Sequence, residues 1–568
     1  MTEPLVQAHR AVWKYLSPTA AYRRAVAVID RSGLLPIVEH NLNATTGRPR
    51  TFTARALLVG MTLHAVTGSR TMVMTDIVGT LRNLGPSQRA DLGVGADVTY
   101  PMLWHAFAKI AAQLDDGGLR VPGSDDRLTV QQFADRLLAA SLPANYNLTG
   151  SAAIDGTDLE AWARRRSWAN KKDLPTAGTE IPDGTNLGPS KPVNEPGWPI
   201  WDDDGRPQNS CDPEARDGYR SGHNGRPGDI YVGFELHLAT QIPTIGGTVV
   251  PHLVTGMTLT PAGSHRGEAA VRTIDGMTAA GTTTTDLCVD RGYNFCLPET
   301  FAYPMWARNV DVWGDLHPNQ RGQRPGPIPG TIWIDGTLFT EALPRLLRNL
   351  TPPGAYATTA EAEAAQADFD RRRAYAFTPL TKRDPDGYQR LKGPALAGQV
   401  RCPNVPQSLR LAHTRPTTHC SQSTPCACGK TVTITPDQSP RERMPQPWGT
   451  TDWAAAYYRR SAIESTNAEL KNHRLDIGKG FTRVFGVVRN TLLCAFAFAG
   501  MNVRLLRDWH AIRHLSDPWA VALGEADLGD GAAALRAKKT RARRRTRTLP
   551  ELLGEPPPDI RDGTGGPS

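Results

Sequence analysis

The 568-residue chain has little of what builds three broad classes of protein. Eight cysteines spread over this length do not make a disulfide framework. No charged-then-apolar leader opens "MTEPLVQAHRAVWKYL", which argues against secretion. The longest strongly apolar run, "LLCAFAFAGM" at 492–501, is about half of what a bilayer crossing needs, so it reads as a buried core helix with no membrane partner. A cytoplasmic address follows. Excess basic charge is also missing from most of the chain: the net charge is +9, but "RAKKTRARRRTR" at 536–547 holds eight basic and no acidic residues, leaving the rest near neutral. That tail is expected to touch phosphates nonspecifically and to be disordered when free.

What is present describes a globular chain with ample core: 39% apolar and 21% charged residues, long enough for about three or four domains. The first section, 1–147, reads as an all-α domain, either DNA-binding or simply packed. "TYPMLWHAFAKIAAQL" sets Leu103, Phe107, Ile110 and Leu114 at helical spacing, and "TARALLVGMTLHAV" behaves similarly.

The character changes at "GSAAIDGTDLEAW", where a short strand ends on Asp155 and turns through Gly156. After a long Gly/Pro/Asp/Asn-rich connection, "DIYVGFELHLATQIP" and "TVVPHLVTGMTLT" read as a hairpin joined by "TIGG". A helix, "RGEAAVRTIDGMTAAG", and another strand, "TTDLCVDRGYNF", follow, the strand ending on Asp290. Strand ends in open sheets project side chains into a crevice, so Asp155 and Asp290 would project together if their strands are neighbours. Close carboxylates repel unless cations lie between them, and oxygen-only ligands suit Mg²⁺ or Mn²⁺.

A third acid comes from "YYRRSAIESTNAELKNHR" at 457–474. On one continuous helix Tyr457, Arg460, Glu464 and Lys471 fall on a stripe only about 60° wide. The segment is either an ordinary solvated face with an i,i+4 pair of about 0.2–0.5 kcal/mol, or a carboxylate presented beside two cations and a phenol.

The ordered set of strand with Asp155, hairpin, helix, strand with Asp290 in "VDRGYN", and helix carrying Tyr457, Arg460, Glu464 and Lys471 resembles an insertion-sequence DDE transposase with the Y-R-E-K signature. The resemblance spans roughly 148–300 and 450–510. It implies a mixed α/β fold: a ribonuclease-H-like mixed sheet flanked by helices, with the core in two parts at 148–300 and 450–530. An N-terminal helical domain at 1–147, an insertion domain at 301–449 and the tail at 531–568 complete the chain.

It further implies a prokaryotic, nucleoid-associated enzyme acting as a homo-oligomer on DNA, with element terminal inverted repeats and target DNA as partners. Asp155, Asp290 and Glu464 would be the catalytic metal ligands, with Asp155 bridging two Mg²⁺ or Mn²⁺ ions. Such ions serve the attacking and leaving oxygens of an in-line displacement, so one site can cut an element end and then join it. Tyr457, Arg460 and Lys471 would contact phosphates flanking the scissile one. A nuclease without strand transfer, and a domesticated or inactive DNA-binding protein, are the alternatives on this scaffold.

The insertion holds Cys402, Cys420, Cys426 and Cys428, with His413 and His419 nearby. Four soft ligands suit a structural Zn²⁺, although the spacing departs from paired C-x2-C, and reduced thiols in an irregular insert are the other reading. A second "IDGT" makes Asp335 a rival to Asp155, but it follows Asp290 and reads as a turn residue. "WDDDGRP" at 201–207 reads as a solvated turn, and His237 and His252 as hydrogen-bonded strand histidines. Trp306, Trp313 and Trp333 read as core, with stacking on a flipped base as their functional alternative.

Overall fold

A computed structural model describes residues 16–43, 51–163, 210–220, 228–264, 266–354, 356–422 and 424–525; the loop at 201–207 and the basic run at 536–547 lie outside them. The chain is mixed α/β. Its first section carries α1 (Pro18–Ser32), α2 (Leu34–Leu42), α3 (Ala54–Val66), α4 (Met74–Arg82), α5 (Pro86–Leu92), α6 (Tyr100–Asp115) and α7 (Val130–Ala140). A short ladder of β1 (Leu119–Arg120) and β2 (Arg127–Leu128) separates the last two helices. Local signals start these helices: the side chains of Ser17, Thr53 and Thr129 accept first-turn N–H groups, and Pro18, Pro86 and Pro101 occupy first turns. On α6, Leu103, Phe107, Ile110 and Leu114 are all buried.

The central sheet has six strands: β3 (Ser151–Glu160), β4 (Arg216–Arg220), β5 (Asp229–Gln241), β6 (Val254–Pro261), β7 (Asp286–Val289) and β8 (Asp311–Trp313). Between them come α8 (Arg266–Ala279), after β6, and α9 (Arg291–Asn294) and α10 (Ala302–Ala307), after β7. In space the order is β6, β5, β3, β7, β8, with β4 beside the first half of β5. Strand β5 runs antiparallel to β3, β4 and β6, whereas β3, β7 and β8 are parallel.

Two sequence expectations change here. The connection between β5 and β6 spans 242–253 instead of the tight "TIGG" turn, because Pro243 and Pro251 cannot donate to a ladder. His252 therefore sits in the connection. Strand β3 also does not end at Asp155: the thirteen-residue β5 keeps pairing with it as far as Glu160, so Gly156 continues the strand. A Cβ at Gly156 would lie 2.6 Å from Glu235 Oε1, so a larger residue there would have to displace the Glu235 carboxylate.

After the sheet come β9 (Gln323–Pro325), β10 (Thr331–Ile334), β11 (Thr337–Thr340), α11 (Thr359–Arg373), β12 (Thr378–Pro379), β13 (Gln389–Lys392) and β14 (Thr431–Ile434), forming two small antiparallel sheets. Asp335 and Gly336 make the two-residue turn joining β10 to β11, with φ of 48° and 76°. The Asp335 carboxylate accepts from the Gly322 N–H and from Arg372, each at 2.9 Å.

The chain returns to the central sheet with α12 (Thr451–Tyr457), α13 (Ser461–Ala468), the long α14 (Val487–Ile512) and α15 (Pro518–Ala522). Helix α14 is buried from Asn490 to Asp508 and packs on α3, α7 and β6, which joins the N-terminal helices and the sheet in one continuous core. Gly500 permits its close approach to α3: a Cβ there would lie 2.4 Å from Ala65 Cβ. Among the described residues no helix is long and apolar enough to cross a membrane. Asp508 of α14 holds Arg474 at 2.8 Å with both side chains fully buried, which fixes the segment after α13 against this core.

Candidate functional site

Parallel pairing between β3 and β7 stops at Ile154 and Val289, and the next residue on each strand is an acid. Asp155 and Asp290 thus stand side by side where the parallel ladder ends. Asp290 caps α9, its carboxylate accepting the Tyr293 N–H at 3.1 Å. Asp155 accepts the Gly156 N–H at 2.9 Å and the Asn467 side-chain amide at 3.0 Å. Burial, and next the neighbouring Asp290 charge, push the Asp155 carboxyl up to about 6.

The segment bearing Glu464 departs from the single uniform helix expected of 457–474. Backbone dihedrals at the junction residues Tyr457, Arg460, Ser461, Ala468 and Glu469 are right-handed helical, but Tyr458–Arg460 tightens into a 3₁₀ turn and Glu469–His473 opens into a π turn. A 3₁₀ turn eclipses side chains three apart, which keeps Tyr457 and Arg460 on one side, whereas the π turn falls between Glu464 and Lys471, and Lys471 pairs with Asp158. Tyr457 stacks on Trp453 with ring centroids 4.9 Å apart. Its phenol is pushed up to about 12, by burial first, against the opposing Arg460 charge.

Arg460 donates to Glu464 at 2.5 Å, and the Glu464 side chain is 61% exposed. Burial opposes the charge on Arg460, yet Tyr457, Glu464, Asp155 and Asp290 together hold its pKa above the ordinary value. That guanidinium is therefore the charge common to all three acids. Lys471 is engaged elsewhere: its ammonium meets Asp158 at 2.7 Å, and Arg220 donates to the same carboxylate at 2.5 Å. Burial alone would raise Asp158, but these two cations hold it below the ordinary value.

Asp155 and Asp290 are thus brought together, with Glu464 linked to them through Arg460. Among the described residues, the one group of three or more candidate metal-binding side chains with ligand atoms all within 4.8 Å of one another is not this trio but the four cysteines. The acids' repulsion is offset by the Arg460 guanidinium, which is paired with the exposed Glu464.

Three neighbours escaped the sequence reading. Asn467 lies three residues past Glu464, one helical turn along, and that spacing could have flagged it. Glu235 of β5 and Arg266 of α8 form an ion pair at 2.8 Å, and both act electrostatically on Asp290 or Asp155. They come from separate elements, and no local pattern marks them. His237, with a ring nitrogen 2.7 Å from the Tyr293 hydroxyl, is pushed down to about 3 chiefly by burial and is a neutral structural group.

In the insertion, Cys402 and Cys426 sulfurs lie 3.6 Å apart and those of Cys420 and Cys428 3.9 Å apart, with no disulfide. His413 is not in the group; it contacts Arg401 at 3.0 Å. Burial pushes Cys420 up to about 12 and raises Cys428 too. For Cys426 burial acts the same way, but the Cys428 N–H and the three neighbouring thiols outweigh it and lower the pKa. This buried cluster could hold a metal such as zinc. Trp306, Trp313 and Trp333 are all buried. No family model matches the chain, and neither a curated protein nor a solved structure matches it.

Proposed function

We propose that this chain is a DDE-class DNA transposase of the Y-R-E-K type, cutting and joining DNA at Asp155, Asp290 and Glu464 on a ribonuclease-H-like core. The observation that carries the reading is the meeting of Asp155 and Asp290 at the end of the β3–β7 ladder, with the Glu464 helix bonded to Asp155 through Asn467. The sheet fits such a core: an antiparallel meander of β3, β5 and β6, parallel β7 and β8 on the other side, and the acid helix returning after an insertion.

The donor set suits Mg²⁺ or Mn²⁺, being all oxygen, and a carboxyl pushed up to about 6 beside another acid is one whose ionised form a cation would favour. Bound there, such ions supply charge stabilisation to the attacking and leaving oxygens at phosphorus. The protein's own groups do the positioning. Asn467 fixes the orientation of Asp155, and Arg460 can donate to a phosphate oxygen when Glu464 turns inward. Tyr457 offers a hydroxyl beside it. Lys471, held by Asp158, reaches a flanking phosphate only by giving up that pair.

The test is a linear element end incubated with the chain and Mg²⁺. Nicking followed by joining to a second duplex is expected; nicking without joining would identify a nuclease, and neither would leave only a binding scaffold. Asn467→Ala is expected to raise the Mg²⁺ concentration for half-maximal cutting by about 10–100-fold, the usual cost of losing an outer-shell partner. Unchanged Mg²⁺ dependence would make Asn467 a packing residue only.

We also assign a structural Zn²⁺ to Cys402, Cys420, Cys426 and Cys428. Zn–S bonds of about 2.3 Å place the sulfurs of a regular tetrahedron about 3.8 Å apart. The observed 3.6 and 3.9 Å bracket that value. Four thiolates fill the shell, leaving no open position for catalysis.

A further inference from the structure

The insertion contains a cavity of about 660 Å³ whose wall includes Trp306, Thr378, Lys382, Arg383, Gln399 and Arg443. Two guanidiniums lie against one indole there: Arg443 is 4.3 Å and Arg383 4.9 Å from the Trp306 ring centroid. Arg443 is only 8% exposed. One of its nitrogens donates to the Gly387 carbonyl at 2.9 Å, while its Nε and Nη1 have no hydrogen-bond partner. Gln399 Oε1 and Thr378 Oγ1, also on the wall, are buried without partners. Arg383 makes two long contacts, 3.4 Å to Asp311 and 3.5 Å to the Val310 carbonyl.

A buried guanidinium with free donors is costly, and cation–π contact offsets only part of that cost. Placing a second guanidinium beside it adds repulsion. Burial first and Arg383 next push Arg443 down to about 10, against the opposing influence of Tyr303, Asp437 and Asp384. An anion with several acceptor oxygens would satisfy both forks at once, and the forked geometry of arginine matches phosphate in particular. The volume lies in the range of small-molecule sites and admits a nucleotide-sized ligand.

We propose that this cavity binds a phosphate group, held between Arg383 and Arg443 on the Trp306 platform. The site lies outside the Asp155, Asp290 and Glu464 cluster and stands without the transposase reading. The phosphate is that of a free nucleotide or of a nucleic-acid backbone, two sources of one chemistry.

The experiment measures thermal stabilisation of the full chain by inorganic phosphate, thymidine 5′-monophosphate and a blunt duplex without terminal phosphates, against sodium chloride at equal ionic strength. Ligands that bind the folded state alone raise Tm. Phosphate-specific stabilisation is expected, with apparent affinity at least about tenfold weaker in Arg443→Met and in Arg383→Gln. A response to the monophosphate assigns a free nucleotide; a response to the duplex with none to the monophosphate assigns the backbone. Should Arg443→Met fail to fold, Arg383→Gln decides. No phosphate-specific shift in the wild type, or equal shifts in wild type and variants, would overturn the proposal, and neither outcome bears on cutting at the three acids.

Discussion

Asparagine in place of Asp155 is expected to slow strand scission by at least about 10³-fold, a loss of about 4 kcal/mol of transition-state stabilisation, while leaving DNA binding largely intact. The same substitution is expected to make the folded protein more stable. Asp155 is pushed up to about 6 by burial and by Asp290, so the fold favours its protonated form. Its contribution to stability is fully present below about pH 4 and lost as pH rises through about 6. A shift of about two pH units corresponds to a penalty on the order of 2–3 kcal/mol for the ionised group near pH 8.

An asparagine carries no charge and avoids that penalty. The Tm of Asp155→Asn should therefore exceed that of the wild type at pH 8 in the absence of divalent cation, and the gap should close as pH falls toward 4. Paired cleavage assays and melting curves check both halves. A destabilised variant at pH 8 would show Asp155 to be a structural residue, and an active one would remove it from the chemistry. Asp290→Asn and Glu464→Gln are expected to lose cutting to a similar extent. Exposed Glu464 should not bring the same gain in stability, because its charge is already compensated by Arg460 at 2.5 Å.

The second large effect concerns the cysteines. If Zn²⁺ holds the four sulfurs, the insertion owes much of its folding free energy to the metal; structural zinc in small domains binds with about 10–16 kcal/mol of apparent free energy at neutral pH. Cys402 and Cys428 are buried in a cluster with Ile332, Ile334, Phe339 and Val400, so loss of the metal would leave this cluster without its central cross-link. Purified protein is expected to carry one zinc per chain, and a strong chelator is expected to release it together with new proteolytic cuts confined to about 301–449. Cys420→Ser should show the same cuts without chelator. Metal-free protein with four titratable thiols and an unchanged digestion pattern would contradict the assignment.

Much of the scaffold can be read from local pattern. The apolar spacing of α6 and α3, the strand character of β5 and β6, and the helix at Arg266–Ala279 follow from periodicity and from the turn residues between them. The two aspartates were legible as strand-associated acids. The reason they meet was not: Asp155 projects because its parallel neighbour β7 ends, while β3 itself runs on to Glu160 under the pairing of a thirteen-residue β5. No local signal states where a partner strand stops.

The breaks in the Glu464 segment were equally hidden, since the residues at the junctions, Tyr457, Arg460, Ser461, Ala468 and Glu469, all keep right-handed helical dihedrals and the change lies in hydrogen-bond register. Lys471 was legible as a cation on an acid-bearing helix, but its bond to Asp158 depends on an element more than 300 residues away in sequence. The cysteines were recognisable by type, and their convergence depends on how the insertion brings the Cys402 loop to the Cys426–Cys428 turn.

On the proposed function, three carboxylates from remote parts of the chain grip the same divalent cations. Calorimetric titration of Mn²⁺ into the full chain bound to an uncleaved element end addresses it directly. Saturable Mn²⁺ uptake is expected in the wild type, weakened at least about tenfold in each of Asp155→Asn, Asp290→Asn and Glu464→Gln. Uptake in Glu464→Gln equal to that of the wild type would contradict it, leaving the aspartate pair without the third ligand on which the reading depends.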